Sequence, residues 1–162
     1  MAVPPPVHLG PGEVSASFRP GSTPPNIVNS DSVAYYLATG DTTDGAFGAF
    51  RWDIGAGEMS AAPHFHRTFS ESFFVLSGTV SLYDGNHWFD AEPGDFMHVP
   101  AGGVHAFRSE SAPVSLLIIF SPGVPRESFF EGLADLTASR WNPSPDQLAA
   151  FYSAHDTFPV PI

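Results

Sequence analysis

Between residues 33 and 120 the sequence consists of short runs rich in aromatic and β-branched residues, separated by Gly, Pro, Asp or Asn. Runs of this kind predict β-strands joined by tight turns. The predicted strands are Val33–Thr39, Ala46–Asp53, Ser72–Leu76, Thr79–Tyr83, His87–Asp90, Phe96–Val99, Ala106–Arg108 and Val114–Phe120. Between two of them, Asp84-Gly85 predicts a hairpin. Strands of this number and spacing predict an all-β barrel or sandwich rather than a βαβ fold.

The two ends of the chain follow other patterns. Residues 1–30 are rich in Pro and predict an extended arm, either ordered against the body or partly disordered. Apolar residues at helical spacing predict a helix over Arg126–Ser139. Ser144, Pro145 and Gln147 match the N-cap, first position and capping box of a second helix. The predicted organisation is an arm at 1–30, a barrel at 31–122, and a helical segment at 123–162 that packs on the barrel.

Composition excludes several functions. All six basic residues of the 162 are Arg, and the formal net charge is −11, so nucleic acid and anionic membranes would be repelled. The chain has no Cys, which excludes disulfides and thiolate chemistry, and no Lys, which excludes Schiff bases. Residues 1–12 do not resemble a secretory signal, and the apolar run Leu116–Phe120 is too short to span a bilayer. We expect a protein of the cytoplasm.

The chemistry of the chain concentrates in a histidine cluster. His64 and His66 are two residues apart, so on a strand both side chains point to one face. Glu71 can return to the same side from the next strand, and a Pro- and Gly-containing turn can bring His105 against them. Three imidazoles and a carboxylate suit a divalent Fe, Ni, Co, Mn, Cu or Zn ion and leave positions free for water or substrate.

Over a longer stretch around this cluster, the spacing of Gly, His, Glu and Pro residues resembles the two signature motifs of the cupin superfamily. The first motif reads Gly57-x6-His64-x-His66-x4-Glu71-x6-Gly78, and the second reads Gly94-x5-Pro100-x-Gly102-x2-His105. Two departures are a sixth residue in the first spacer, where five are usual, and Ser109 in place of the usual Asn. The resemblance implies a double-stranded β-helix, or jelly-roll barrel, and one divalent metal ion per subunit. It implies that the ligands are His64, His66, Glu71 and His105.

A finer resemblance covers residues 64–78 and 126–133, which are similar to single-domain cupins of the quercetin 2,3-dioxygenase type. It implies a homodimer that cleaves a flavonol, or a similar enolisable aromatic substrate, with dioxygen and releases carbon monoxide. Glu71 would act as the catalytic base that takes the hydroxyl proton of the substrate. Two alternatives stay open: a cupin isomerase or polyketide cyclase that consumes no dioxygen, and a small-molecule-binding cupin without turnover.

Strand alternation also predicts which side chains surround the metal. The inward-facing candidates are Phe73, Val75, Met97, Val99 and Phe107. They either line an apolar substrate pocket or simply fill a small barrel. By the same alternation His98 faces outward. No Arg is clearly placed inside, although Arg51, Arg67 and Arg108 are candidates, so an anionic sugar or phosphate substrate is not expected.

Overall fold

Within residues 3–55, 59–109 and 113–161, which the computed structural model describes, the chain forms eleven strands and two α-helices. The strands are β1 (Ile27–Val28), β2 (Ser32–Ala38), β3 (Gly48–Ile54), β4 (Met59–Phe65), β5 (Ser70–Ser77), β6 (Val80–Tyr83), β7 (Trp88–Ala91), β8 (Phe96–Val99), β9 (His105–Ser109), β10 (Val114–Ser121) and β11 (Phe158–Pro159). The helices are α1 (Glu127–Thr137) and α2 (Pro145–Ala154). Gly57 of the first motif lies outside the described residues.

These strands form two antiparallel sheets. One has the order β1-β2-β3-β10-β5-β8, and the other has the order β11-β4-β9-β6-β7. Between β3 and β10 the chain changes sheet after β3, β4, β5, β7, β8 and β9, so strands that follow one another in the sequence mostly lie on opposite walls of the barrel. This is the jelly-roll arrangement that the resemblance to cupins implies, and it agrees with the barrel or sandwich that the strand pattern predicts.

Alternation of side chains builds the core between the sheets. Every second residue of β3 and of β10 is buried, as expected for strands with one face on a core. Phe73 of β5 approaches Phe107 of β9 across the barrel, with ring centroids 6.1 Å apart. Gly78 follows β5 at φ +76°, where an added Cβ would lie 2.3 Å from the Pro113 carbonyl oxygen. This position therefore requires glycine.

All eight predicted strand runs overlap observed strands, and the Asp84-Gly85 hairpin joins β6 to β7 as predicted. Three strands lie outside the predicted runs: β1, β4 and β11. Much of β4 is Ser60-Ala61-Ala62-Pro63, which has low β-propensity, and its pairing with β9 and β11 holds it in the sheet. Tertiary pairing outweighs local preference there.

Both predicted helices are present. Phe130 of α1 is buried against Phe50 and Trp52 of β3, with ring centroids 5.2 and 5.4 Å apart. Ser144 and Gln147 form the predicted capping box at the start of α2. The helices therefore cover one opening of the sheet structure through aromatic contacts.

The part of the chain that precedes β1 differs from the rest. Residues 3–26 form neither helix nor strand and are largely exposed. The division of the chain at residues 30 and 122 stays a prediction. Neither helix of the described residues has the length and apolar character needed to cross a membrane.

Candidate metal centre and its cavity

The four candidate ligands come from both sheets and meet inside the barrel. His64 near the end of β4 lies directly opposite His105, the first residue of β9. His66 follows β4 by one residue, and Glu71 faces the three histidines from β5 of the other sheet. One ligand atom from each residue lies within 4.8 Å of all the others. All are buried except His64, which is partly exposed.

Backbone carbonyls fix the orientation of each imidazole. Nδ1–H of His64 donates to the carbonyl oxygen of Ala62 at 2.7 Å. Nδ1–H of His66 donates to that of Asp156 at 2.6 Å, and Nδ1–H of His105 donates to that of Gly103 at 3.0 Å. A histidine that donates through Nδ1 carries its lone pair on Nε2. Metal-binding histidines have this arrangement, in which an outer hydrogen bond sets the tautomer and the ring angle.

Contacts with Glu71 test whether this arrangement fits a cation. Its Oε2 lies 3.0 Å from Nε2 of His66 and 3.0 Å from Nε2 of His105. With Nδ1 protonated, each neutral Nε2 would direct a lone pair at a carboxylate oxygen, which is unfavourable unless a cation lies between them. Added protons or a metal ion would both satisfy this need. Three imidazoles and one carboxylate are a donor set for a divalent transition metal, so these residues fit such an ion.

Protonation states in the cluster suit metal binding. In the form of the cluster that holds added protons instead of a metal ion, Nε2–H of His105 and of His66 donates to Glu71. Burial disfavours the charged form of Glu71, but these hydrogen bonds outweigh this effect and hold the pKa of Glu71 well below its usual range. Burial and the nearby His105 lower the pKa of His64 to about 4. For His105, burial alone would lower the pKa, but the hydrogen bond to Glu71 raises it. Glu71 is therefore a carboxylate and His64 a neutral ligand at neutral pH.

A cavity of about 440 Å³ opens beside the cluster, which is in the size range of small-molecule sites. His64 and Glu71 form part of its wall, and the rest of the lining is mostly apolar. Strands and helices both contribute: the lining includes Trp52, Met59, Ala61, Phe107, Ile118, Phe129, Phe130, Leu133, Ala134, Tyr152 and Pro159. The cavity therefore lies between the barrel and the two helices.

Only Phe107 of the five predicted pocket residues lines this cavity. Phe73, Val75 and Val99 are buried in the core, and Met97 is half-buried and packs against it. These four residues of β5 and β8 pack in the barrel core, whereas Glu71 of β5 lines the cavity, and a substrate pocket at the four residues stays a prediction. His98 is exposed, as predicted, and its Nδ1 lies 2.9 Å from the Ser72 hydroxyl oxygen.

Arg126 corrects the expectation that no arginine lies inside. It precedes α1, is 3% exposed, and lines the cavity. Its Nη1 donates to the carbonyl oxygen of His155 at 2.8 Å and to the hydroxyl oxygen of Thr157 at 3.3 Å. None of the three arginines considered from the sequence is in the lining.

A second contribution that sequence reasoning missed comes from Asp156. Its carboxylate accepts hydrogen bonds from the backbone of Arg67 at 2.9 Å and from the backbone and hydroxyl of Thr68 at 2.8 and 2.7 Å. Its carbonyl oxygen is the partner of His66 Nδ1. Asp156 thus fixes the turn between His66 and Glu71 from 90 residues away in the sequence. No local motif signals this contact.

Comparisons with known proteins agree with this geometry. Residues 50–120 match the family described as "Cupin domain", so this stretch of the chain is a cupin domain. It is 29% identical over 109 residues to a quercetin 2,3-dioxygenase of Bacillus subtilis (strain 168); the match covers 67% of this chain and 32% of that protein. The chain thus spans about a third of the length of that relative.

Two solved structures show the same fold. The structure of KdgF from Halomonas sp. superposes with a TM-score of 0.58 at 16% identity, covering 67% of this chain and 96% of that one. The polyketide cyclase RemF from Streptomyces resistomycificus gives 0.54 at 18% identity, covering 65% and 78%. At these identities the likeness establishes the jelly-roll barrel and leaves the reaction open.

Proposed function

We propose that the protein is a metal-dependent dioxygenase of the quercetinase type, acting on a flavonol or a similar enolisable aromatic substrate. The observation that carries the proposal is that a candidate metal centre and an apolar cavity adjoin each other. A centre of three histidines and one glutamate forms part of the wall of an otherwise largely apolar cavity. A planar, apolar substrate can enter this cavity and present a hydroxyl group to Glu71. The similarity to the Bacillus dioxygenase supports the choice among cupin reactions.

Each residue has a definite task in this proposal. The three backbone carbonyls hold the imidazoles with Nε2 directed inward. A divalent ion bound there would supply a Lewis acid that lowers the pKa of the substrate hydroxyl. Glu71, kept ionised by its surroundings, accepts the proton of that hydroxyl. The aromatic lining excludes water from the electron-rich substrate that results.

Cupin isomerase or cyclase chemistry is the second candidate. The observation that favours it is that Glu71 and Arg126 line one cavity. A base and a cation together can move a proton and stabilise an enolate without any oxidant. The two candidates share the same first proton transfer and differ in whether dioxygen is consumed.

The deciding experiment follows substrate loss and oxygen uptake together, for metal-loaded protein and a panel of flavonols. We expect substrate and oxygen to be consumed in proportion to each other and carbon monoxide to be released. Conversion of the substrate should stop under nitrogen. Equal conversion with and without oxygen would replace the dioxygenase with the isomerase or cyclase. Saturable binding without conversion of any compound would indicate a binding module.

We also propose that the protein works as a homodimer in the cytoplasm. The support for a dimer lies in the arm, where Val7, Leu9, Val14 and Phe18 are each at least 88% exposed. Apolar side chains displayed in this way favour burial against a second copy. A chain without the arm, residues 1–30, should sediment at half the mass of the full chain. An unchanged mass and thermal stability would remove the arm from the subunit contact.

A further inference from the structure

Arg126 is a buried cation, and no carboxylate of residues 3–55, 59–109 and 113–161 forms an ion pair with it, although the charges of Glu71 and Asp156 act on it from further away. Its guanidinium lies 3.9 Å from the ring centroid of Phe129 and between 5.2 and 5.5 Å from those of Phe69, Phe120 and Phe130. Its two hydrogen-bond acceptors are neutral, and its Nε has no partner among the described residues. In that part of the chain no ion pair involves Arg126. A buried charge is costly unless an opposite charge neutralises it.

The charges in the cavity wall also indicate that the site can bind an anionic group. Among its described lining residues, Glu71 and Arg126 are the two that are formally charged at neutral pH. Burial lowers the pKa of Arg126 to about 10, so it stays a cation. A divalent ion held beside Glu71 would make the site positive overall. This contrasts with the whole chain, whose net charge is −11.

Phe69 relates the two polar parts of the site. The ring of His66 stacks on Phe69 with centroids 4.2 Å apart, and the guanidinium of Arg126 lies 5.3 Å from the centroid of the same ring. The candidate ligands and the arginine are therefore close enough for one small molecule to reach both. The aromatic residues of the cavity wall, Phe107, Phe129, Phe130, Tyr152 and Trp52, would pack against such a molecule.

We propose that the substrate is a carboxylic acid: an aromatic, enolisable compound whose hydroxyl group faces Glu71 and whose carboxylate binds Arg126. A carboxylate matches the planar guanidinium and would supply the negative charge that the site lacks. The inference names the substrate class of the proposed small-molecule enzyme and rests on that function. The buried Arg126 also removes the ground on which the sequence argued against an anionic sugar or phosphate, namely that no arginine is clearly placed inside.

The test compares acids with their methyl esters. The probes are a 3-hydroxyflavone that carries a carboxylate on its outer ring and a hydroxynaphthoate, each paired with its methyl ester, titrated into metal-loaded protein and followed by fluorescence. We expect each acid to bind roughly 10- to 100-fold more tightly than its ester, the range for a hydrogen bond between charged groups. Equal affinities of acid and ester in both pairs would overturn the proposal.

Variants at Arg126 separate recognition from structure. In Arg126→Gln the acid should lose most of its advantage while the affinity of the ester changes little. Arg126→Lys should keep part of the advantage, because it keeps the charge without the planar fork. Arg51→Gln is the matched control, since Arg51 lies outside the cavity and pairs with Asp53. A merely structural role for Arg126 would weaken acid and ester equally, and such a result would contradict the proposal.

Oxygen uptake distinguishes failure of this inference from failure of the proposed function. If the acids bind preferentially through Arg126 but no oxygen is consumed, the dioxygenase assignment is wrong and the carboxylate assignment stands. If esters and acids consume oxygen with equal efficiency, the dioxygenase stands and the carboxylate assignment is wrong.

Discussion

Two regions of the chain form the site: the barrel strands carry the candidate ligands, and the C-terminal segment closes the cavity. Different interactions position the side chains in the two regions. On the strands, backbone pairing sets the geometry: His64 opposes His105 in register, and Glu71 faces both from the other sheet. In the C-terminal segment, Arg126 and Asp156 are placed by individual hydrogen bonds to backbone atoms and hydroxyl groups. The comparison indicates that the barrel would hold the metal, whereas the C-terminal segment orients one candidate ligand and would face the proposed substrate. The two tasks should be separable by mutation.

The largest effect is expected on the barrel side. His66→Ala or His105→Ala removes one of three imidazoles, so we expect most of the bound metal and all measurable turnover to be lost while the barrel stays folded. Elemental analysis and circular dichroism measure the two quantities. His98→Ala, at an exposed histidine on β8, is the control and should keep its metal. Full occupancy in either ligand variant would contradict the ligand assignment.

Glu71→Gln is expected to have the next largest effect. The amide keeps an oxygen for the metal but cannot accept the hydroxyl proton, so turnover should fall by about 10² to 10⁴ while part of the metal remains. Oxygen uptake and metal content are measured on the same samples. Glu92→Gln, an exposed carboxylate in the loop after β7, should match the wild type. Wild-type turnover in Glu71→Gln would exclude Glu71 as the base.

Asp156→Ala tests whether the C-terminal segment supports the barrel. Loss of the carboxylate frees the turn at Arg67 and Thr68 and loosens the carbonyl that holds His66, so metal affinity should fall by about tenfold, the lower end for partners of metal ligands. Competition with a chelator measures the change. Asp95→Ala removes a similar bond, to the backbone of Glu92, away from the ligands. Equal metal affinity in both variants would mean that the two regions act independently.

The smallest effect is expected at the start of α2. Ser144→Ala removes half of the capping box, which should reduce the free energy of unfolding by about 1 kcal/mol without altering metal content. Ser153→Ala, on the exposed side of the same helix, should cost less. Denaturant unfolding provides the measurement. A loss of metal in Ser144→Ala would show that the helical segment is coupled to the barrel more tightly than its contacts indicate.

The same contrast explains what the sequence could predict. Period-two alternation and turn residues are local signals, so eight of the strands and the hairpin follow from them. The set of His64, His66, Glu71 and His105 rests in addition on the resemblance to the cupin motifs. The capping box at Ser144 is local as well. These features need no knowledge of distant parts of the chain.

Contacts between distant residues carry no such signal. Arg126 precedes a helix, where arginine is commonly exposed, and only the folded chain shows its guanidinium buried among four phenylalanines. The contact of Asp156 with His66 spans 90 residues. Alternation identified which residues of β5 and β8 face the interior of the barrel. It did not show which inward-facing residues line the cavity. That depends on where α1 and α2 pack.

X-ray absorption spectroscopy of the purified, metal-loaded protein tests the central claim most directly, because it reports the atoms around the bound metal. The account predicts one divalent ion per chain in a shell of nitrogen and oxygen at about 2.0–2.2 Å, with the outer-shell scattering of imidazole rings. That scattering should weaken in His105→Ala. A shell of oxygen alone without imidazole scattering, or well below one ion per chain, would contradict a metal centre at these four residues.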